Sequence, residues 1–232
     1  MKPRWMAVLV LGLFAVHAGA QEPAALKTEK EKVSYGIGIQ FAMILKSQGI
    51  DVDSDLLFKG LKDTLSGAKL LMTDEELRAT LTALQEQVKQ RQEQAQSLAA
   101  ENNKKAGEAF LAENAKKPGV VTQPSGLQYK ILKTGQGPKP TDDDTVVCQY
   151  RGTLIDGTEF DSSFSTGQPA TFMVKALIPG FKEALQLMPV GSTWQFFIPS
   201  GLAYGETGAS DVVGPNSALI FEVELISIEA KR

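Results

Sequence analysis

The stretch from Val146 to Ser163, VVCQYRGTLIDGTEFDSS, carries several side chains that could do chemistry, and three of them lead the argument. They are the Cys148 thiol, the Tyr150 phenol and the Asp161 carboxylate. These groups can form hydrogen bonds, but the stretch shows no obvious catalytic base and no activated nucleophile. By themselves, these residues argue against an enzyme that works by proton transfer or covalent attack.

The amino terminus predicts that the one histidine, His17, is lost from the working protein. Lys2 and Arg4 precede an apolar run over residues 5–16, and the small residues 18–20 follow. This order predicts a secretory signal peptide at residues 1–20, with a retained signal anchor as the alternative. A chain without histidine cannot run a Ser-His-Asp or Cys-His mechanism, or build a histidine metal site. We therefore expect no cofactor and no metal.

Composition and charge limit the cellular compartments and the classes of partner that are expected. The chain has 43% hydrophobic and 22% charged residues, which is ordinary for a soluble globular protein. Its formal net charge is −3, and no basic cluster is visible, so we expect no nucleic-acid partner. With the predicted signal peptide, the sequence indicates an exported protein in the periplasm or at the outer membrane or cell surface.

Three other features carry less chemistry than their residue types suggest. Cys148 lies on an alternating strand and is expected to be a buried hydrophobe, with a reactive or intermolecular thiol as the alternative. The acidic run 142–144 lacks the spacing of a calcium loop and predicts a solvated turn. The glycines between residues 201 and 214 do not match a phosphate loop and indicate a long loop from Ser200 to Asn216.

The amino-terminal third predicts two short helices. Residues 33–45 show apolar side chains at helical spacing, although two glycines weaken the pattern. Asp53 or Ser54 can cap a second helix that stops near Gly67. Such a hairpin has too little core to stand alone, so residues 21–72 predict a dimerisation domain, with packing within one chain as the alternative.

Thr73 and Glu76 form a capping box before a proline-free segment that runs to about Asn114. Residues 89–105 are mostly polar helix formers, which predicts a solvent-exposed spacer helix, with a disordered segment as the alternative. Phe110 and Leu111 are expected to dock its far end. The long helix and its linker are assigned to residues 73–120.

Strands and turns follow, and residues 121–232 predict an α+β domain. The fold class is an all-α amino-terminal region and long spacer helix joined to an antiparallel β-sheet wrapped on one short helix over 181–188. The candidate strands are 127–132, 145–151, 158–160, 170–174, 193–198 and 218–228.

Several motifs together resemble one known family, the FKBP-type peptidyl-prolyl cis-trans isomerases. They are Tyr150-Arg151-Gly152, Asp156-Gly157, Phe160-Asp161-Ser162-Ser163, Ile178-Pro179-Gly180-Phe181, Met188-Pro189-Val190-Gly191, Tyr204-Gly205, Pro215-Asn216 and Leu219-Ile220-Phe221. The resemblance covers about residues 121–230. The helical part, with VSYGIGIQF and AFLAEN, is similar to the macrophage infectivity potentiator (Mip) branch, whose members are exported homodimers.

The resemblance implies a proline pocket and its residues. The implied substrate-binding residues are Tyr150, Phe160, Asp161, Leu177, Ile178, Phe181, Tyr204, Val212, Val213 and Phe221. Among them, Asp161, Tyr204, Phe160 and Tyr150 are implied in catalysis. Asp161 is a polar group at the wall, the Tyr204 hydroxyl donates to a substrate carbonyl, and the Ile178 N–H is a second donor. Taken singly, each of these residues could instead have a purely structural role, by packing in the core or a loop or by capping a turn.

Two positions depart from the family pattern. Phe181 stands where the pocket floor is usually tryptophan, so substrate preference, turnover and macrolide affinity are open. Thr166 falls where many members place an arginine beside the aspartate, so that ion pair is not expected.

The implied activity is isomerisation of X-Pro bonds in exported proteins by binding the twisted amide, without covalent catalysis. A site lacking acid, base and metal suits this reaction, because rotation breaks no covalent bond. The expected partners are unfolded or extended proline-containing polypeptides, a second copy of the chain through the amino-terminal helices, and macrolides as inhibitors. The alternative is a binding module, or holdase, in which turnover is incidental.

Overall fold

The computed structural model describes residues 26–209 and 212–229. The predicted signal peptide at residues 1–20 lies outside the described residues. The chain divides into two compact units, one up to Glu76 and one from Leu77 onwards. No helix in the described ranges is long and apolar enough to cross a membrane. The boundaries predicted at residues 21, 73 and 121 stay predictions.

The first unit holds α1 (Glu29–Ser47) and α2 (Ser54–Ser66). Thr28 caps α1 in a capping box with Glu31, and the Asp53 carboxylate caps α2 by accepting from the Asp55 and Leu56 N–H groups. Gly67 ends α2 in the left-handed conformation. Neither helix buries a residue within this chain, which agrees with the predicted lack of a self-sufficient core.

The long helix α3 (Asp74–Asn114) has 41 residues and begins at the predicted capping box. The Thr73 hydroxyl accepts from the Glu76 N–H at 3.2 Å, and the Thr73 N–H donates to the Glu76 carboxylate at 2.8 Å. The expectation of an exposed spacer over residues 89–105 holds from Lys89 to Leu98, and beyond that it is wrong at three positions. Ala99, Ala100 and Asn103 are half-buried, and the last two form hydrogen bonds with a loop of the same unit at Pro215 and Asn216.

The far end of α3 docks through a polar pair as well as the predicted apolar residues. The side-chain amide of Asn114, which is 1% exposed, donates to the Gln128 carbonyl oxygen at 2.9 Å, and the Gln128 amide donates to the Leu111 carbonyl. The Phe110 ring lies 6.0 Å from the ring of Phe197. Buried amides need such partners, so these bonds fix the rotation of the helix on the sheet.

Beyond α3, the second unit forms an antiparallel seven-stranded sheet with one short helix packed on it, as the fold class predicted. The strand order is β1-β2-β6-β7-β3-β4. The strands β4 and β5 pair with the same edge of β3, β5 along its first half and β4 along its second half. The strands are β1 (Val120–Thr122), β2 (Gln128–Lys133), β3 (Thr145–Leu154), β4 (Glu159–Ser162), β5 (Ala170–Met173), β6 (Thr193–Ile198) and β7 (Leu219–Ile228).

The core lies between the inner face of this sheet and α4 (Pro179–Leu187). Pro179 opens α4 at its first position, where a missing N–H costs nothing. Phe181, Ala184 and Leu185 of α4 meet the apolar residues that alternate along β3, β6 and β7. The alternation of period two therefore predicted the buried face correctly, while the three-residue β1 was missed because it is too short to show a pattern.

Candidate functional site

A β-bulge brings two consecutive side chains of β4 to the same side of the sheet. Gly152 pairs with Asp161, whereas the next residue, Thr153, pairs with Glu159, so Phe160 is the extra residue. In a regular strand, neighbouring side chains point to opposite faces. The bulge removes that constraint, and Phe160 and Asp161 both reach the aromatic side chains of the inner face.

Tyr150 is held at both of its ends. Its hydroxyl donates to the Asp161 carboxylate at 2.7 Å. Its backbone N–H donates to the Ser163 hydroxyl at 2.9 Å, and this hydroxyl donates back to the Tyr150 carbonyl at 3.2 Å. Burial, followed by the hydrogen bond to Asp161, raises the pKa of the Tyr150 phenol above its ordinary value. Tyr150 therefore remains a neutral donor well beyond neutral pH.

Four aromatic rings form the floor and wall beside this hydrogen bond. The ring of Phe181 lies 4.9 Å from that of Phe221 and 6.5 Å from that of Tyr150, both nearly perpendicular to it. The ring of Phe160 lies 5.4 Å from that of Phe221, also edge to face. Phe181 is buried at 4% exposure, so an apolar floor is present without an indole N–H.

Gly152 is required for these rings to meet. A Cβ atom at this position would lie 2.8 Å from ring atoms of both Phe160 and Phe221, closer than real Cβ contacts. The sequence motif at residues 150–152 did not reveal this role, since any residue fits an extended backbone. The feature of the sequence that could have indicated this role is a residue without a side chain at an inward-facing position of β3.

The loop between β6 and β7 supplies the opposite side of the site. Tyr204 is 38% exposed, and its pKa is raised by burial and then by the negative charge of Asp161. Val213 is buried at 2% and belongs to the core, whereas Val212 is 46% exposed. Leu177 and Ile178, which were also predicted to bind substrate, lie just before α4 and are half-buried against the same core.

The structure thus joins five of the predicted residues into one cluster through pairwise contacts and places Tyr204 within electrostatic reach of Asp161. The five are Tyr150, Phe160, Asp161, Phe181 and Phe221. The assignment of these residues to a substrate site stays a prediction. The sequence left unpredicted two rings that contact this cluster, those of Phe172 and Phe196.

One of the two missed rings belongs to Phe172 of β5. It lies 5.3 Å from the ring of Tyr150 and 6.4 Å from that of Phe181. The period-two pattern of β5 was the signal that could have placed it. At the other departure from the family pattern, the Thr166 hydroxyl donates to the Ser163 carbonyl at 2.9 Å and so closes the turn after β4.

Among residues 26–209 and 212–229, no group of three or more His, Cys, Asp or Glu side chains could hold a metal ion. What the cluster offers is an apolar surface of packed rings beside the Asp161 carboxylate and the phenols of Tyr150 and Tyr204. Such a surface suits an apolar ring flanked by carbonyl groups.

A depression of about 390 Å³ lies on the outer face of the same sheet. Two of its charged residues pair with each other, Arg151 with Glu159 at 2.7 Å, and Glu224 pairs with Lys133 at 4.0 Å. Its lining is mostly polar or charged and holds one ring, that of the exposed Phe164, so the packed rings of the inner-face cluster are the better candidate for binding an apolar ring.

Cys148 lies beneath the site and is fully buried. Burial raises the pKa of its thiol to about 12, so the thiolate is scarce at neutral pH. We expect iodoacetamide to leave Cys148 unmodified in the folded protein and to alkylate it fully in denaturant, as measured by intact mass. Rapid alkylation of the native protein would instead support the reactive thiol.

Comparisons with known proteins match both parts of the chain. The family described as "FKBP-type peptidyl-prolyl cis-trans isomerase" matches residues 137–226, and the one described as "Domain amino terminal to FKBP-type peptidyl-prolyl isomerase" matches residues 30–131. "Outer membrane protein MIP" of Legionella longbeachae is 46% identical over 230 residues, which are 99% of each chain.

Two further relatives extend this similarity. "Peptidyl-prolyl cis-trans isomerase Mip" of Coxiella burnetii is 43% identical over 91% of this chain and 92% of its own length. The crystal structure of FkpA from Escherichia coli matches with a TM-score of 0.70 and 36% identity, over 88% of this chain and 99% of that one.

Proposed function

The chain belongs to the FKBP-type peptidyl-prolyl cis-trans isomerases. We propose that the inner-face aromatic cluster is the pocket in which it isomerises X-Pro peptide bonds. The observation that carries the proposal is the contact of Tyr150, Phe160, Phe181 and Phe221 around the hydrogen bond from Tyr150 to Asp161. The proline ring would lie on the Phe181 floor, with Tyr150, Phe160 and Phe221 around it.

The proposed mechanism is differential binding of the twisted amide. Rotation about a peptide bond is slow because the amide loses resonance, with a barrier of about 18–20 kcal/mol. The twisted amide is less dipolar than the planar one, so removing water in an apolar pocket disfavours the ground state more than the transition state. No bond to the protein forms, which accounts for a site without base or nucleophile.

Donors at the rim orient the carbonyl groups on either side of the proline. Tyr204 is exposed enough to reach a bound peptide, and its raised pKa keeps the phenol protonated. The Ile178 N–H, at the extended residue before α4, is the second proposed donor. Asp161 holds Tyr150 in place and forms the polar part of the wall.

The biological role we propose is assistance to the folding of exported proteins. It is supported by the amino-terminal pattern of residues 1–20 and by a relative named as an outer membrane protein. The clients are unfolded or extended chains that expose proline. Macrolides are expected to bind the same floor, with an affinity set by Phe181.

We further propose that two copies associate through α1. Exposed apolar side chains occupy the stripe of Val33, Ile37 and Phe41 and also the other side, at Tyr35 and Ile39. A helix that is apolar all round is stable in water only when it is surrounded. One neighbouring helix of the same chain, α2, cannot cover every side, whereas an intertwined second copy can.

The experiment that tests the pocket is the refolding of a protein limited by proline isomerisation. The chain at micromolar concentration is expected to accelerate the slow phase, and Tyr204→Phe to reduce kcat/KM about twofold to tenfold. The reason is the loss of one hydrogen bond to a substrate carbonyl. Circular dichroism should show the same folded content in both proteins.

Tyr129→Phe is the matched control, because Tyr129 stacks on Trp194 at 4.6 Å, away from the aromatic cluster. If Tyr204→Phe and the unchanged chain refold the client equally fast, Tyr204 is not a substrate donor. If the unchanged chain does not accelerate refolding but binds the unfolded client, the holdase alternative is correct.

A further inference from the structure

The loop that carries Tyr204 is tied together across its width. The Asn216 N–H donates to the Gly205 carbonyl at 2.8 Å, directly beside Tyr204. The Ala209 N–H donates to the Val213 carbonyl at 2.9 Å. Because Asn216 and Gly205 are bonded through their backbones, a shift of Asn216 displaces the residue next to Tyr204.

Asn216 is also the point at which this loop meets α3. The side-chain amide of Asn103 donates to the Pro215 carbonyl at 2.9 Å, and the Asn216 amide donates in return to the Ala100 carbonyl at 3.4 Å. The two asparagines therefore join helix and loop by two hydrogen bonds in opposite directions, and we call this pair of bonds the clasp. The 2.9 Å bond is the stronger of the two, since hydrogen bonds weaken steeply with distance.

The backbone geometry shows that the clasp is a close fit. Asn216 has a φ of +56°, a left-handed conformation that asparagine tolerates better than most residues. A Cβ atom on Gly214 would lie 3.2 Å from the Asn103 amide nitrogen, and one on Gly107 would lie 3.1 Å from Ala218. Helix and loop thus approach as closely as small residues permit.

We propose that Asn103 is a positioning residue of the isomerase, which holds the Tyr204 loop in its working place through Pro215 and Asn216. The inference rests on the proposed pocket, and it extends the site to a helix that the sequence presents as a polar spacer. Asn103 touches no substrate. It acts by fixing the distance between the Tyr204 hydroxyl and the Asp161 wall.

The test uses the full chain and a chromogenic X-Pro peptide. Asn103→Ala is expected to lower kcat/KM about threefold to tenfold, the range for one lost hydrogen bond. Alanine is a better helix former than asparagine, so the Tm should stay the same or rise. Asn102→Ala is the matched control, because Asn102 is the neighbouring asparagine and is exposed; its kcat/KM should not change.

A double-mutant cycle separates positioning from a general structural role. Combined with Tyr204→Phe, Asn103→Ala should cost less than it does alone, because its effect passes through the Tyr204 hydroxyl. Asn103→Asp, which keeps the shape but loses the donor, should behave as Asn103→Ala does. It carries the same test if the alanine variant does not fold.

Two results would overturn the proposal. One is a kcat/KM for Asn103→Ala equal to that of Asn102→Ala; the other is a double variant whose loss is the product of the two single losses. If Tyr204→Phe itself has no effect, the pocket assignment fails, and that outcome is distinct from a failure of the clasp alone.

Discussion

Replacing Asp161 with leucine is expected to lower kcat/KM for an X-Pro peptide by roughly tenfold to a hundredfold. The carboxylate accepts the hydroxyl of Tyr150, which is only 8% exposed. A hydrogen bond to a charged group contributes about 1.5–3 kcal/mol, and its loss would leave the phenol without an acceptor at the pocket wall. Peptide turnover measured over a range of substrate concentrations checks the result.

Glu159→Leu is the matched control for this substitution. Glu159 is a carboxylate on the same strand, but the bulge leaves it on the outer face, where it pairs with Arg151 at 2.7 Å. Exposed ion pairs contribute about 0–1 kcal/mol, so kcat/KM and the Tm should change little. Equal turnover in Asp161→Leu and Glu159→Leu would show that the proline site lies elsewhere.

The inner face of the sheet was predictable because its chemistry is repetitive. Val146, Cys148 and Tyr150 occupy every second position of β3, and all three are buried as the period of two requires. The caps of α2 and α3 were equally predictable from the sequence, since a cap involves only a few neighbouring residues. These signals lie within one strand or one helical turn.

The site itself could not be derived from such local signals. Whether Phe160 and Asp161 share a side depends on a bulge opposite Gly152 and Thr153, and alternation alone would have placed them on opposite faces. They were assigned to the site by family resemblance, and the bulge is the physical reason why their side chains share a side of the sheet.

The contacts of α3 were missed for a related reason. Asn103 meets a residue 112 positions away, and its polar neighbours give no hint of burial. Long-range polar contacts leave no periodic trace in a sequence. A polar helix surface therefore predicts exposure correctly only where no loop of the fold happens to reach it.

Phe41→Glu is expected to convert a dimer of the full chain into a monomer. Phe41 is 47% exposed in the single chain and lies with Val33, Ile37 and Ile44 around a shallow depression of about 470 Å³. A Cβ atom on Gly36 or Gly38 would touch nothing within this chain, so there is room for a second helix to approach closely. Sedimentation equilibrium at micromolar concentration measures the change.

The size of this effect follows from the cost of an unpaired charge in an apolar interface. That cost is several kcal/mol, and each 1.4 kcal/mol weakens association about tenfold, so the dimer should be lost at any practical concentration. Gln90→Glu, an added charge on the exposed part of α3, should leave the dimer intact.

Turnover of a short X-Pro peptide by Phe41→Glu should match that of the unchanged chain, because the proposed pocket lies in the other compact unit. A monomeric unchanged chain would mean that α1 is covered by something other than a second copy. A Phe41→Glu variant that stays dimeric would place the contact between copies outside the apolar stripe of α1. Reduced acceleration of protein refolding by the monomer, with peptide turnover preserved, would show that pairing serves the capture of large clients rather than the bond rotation.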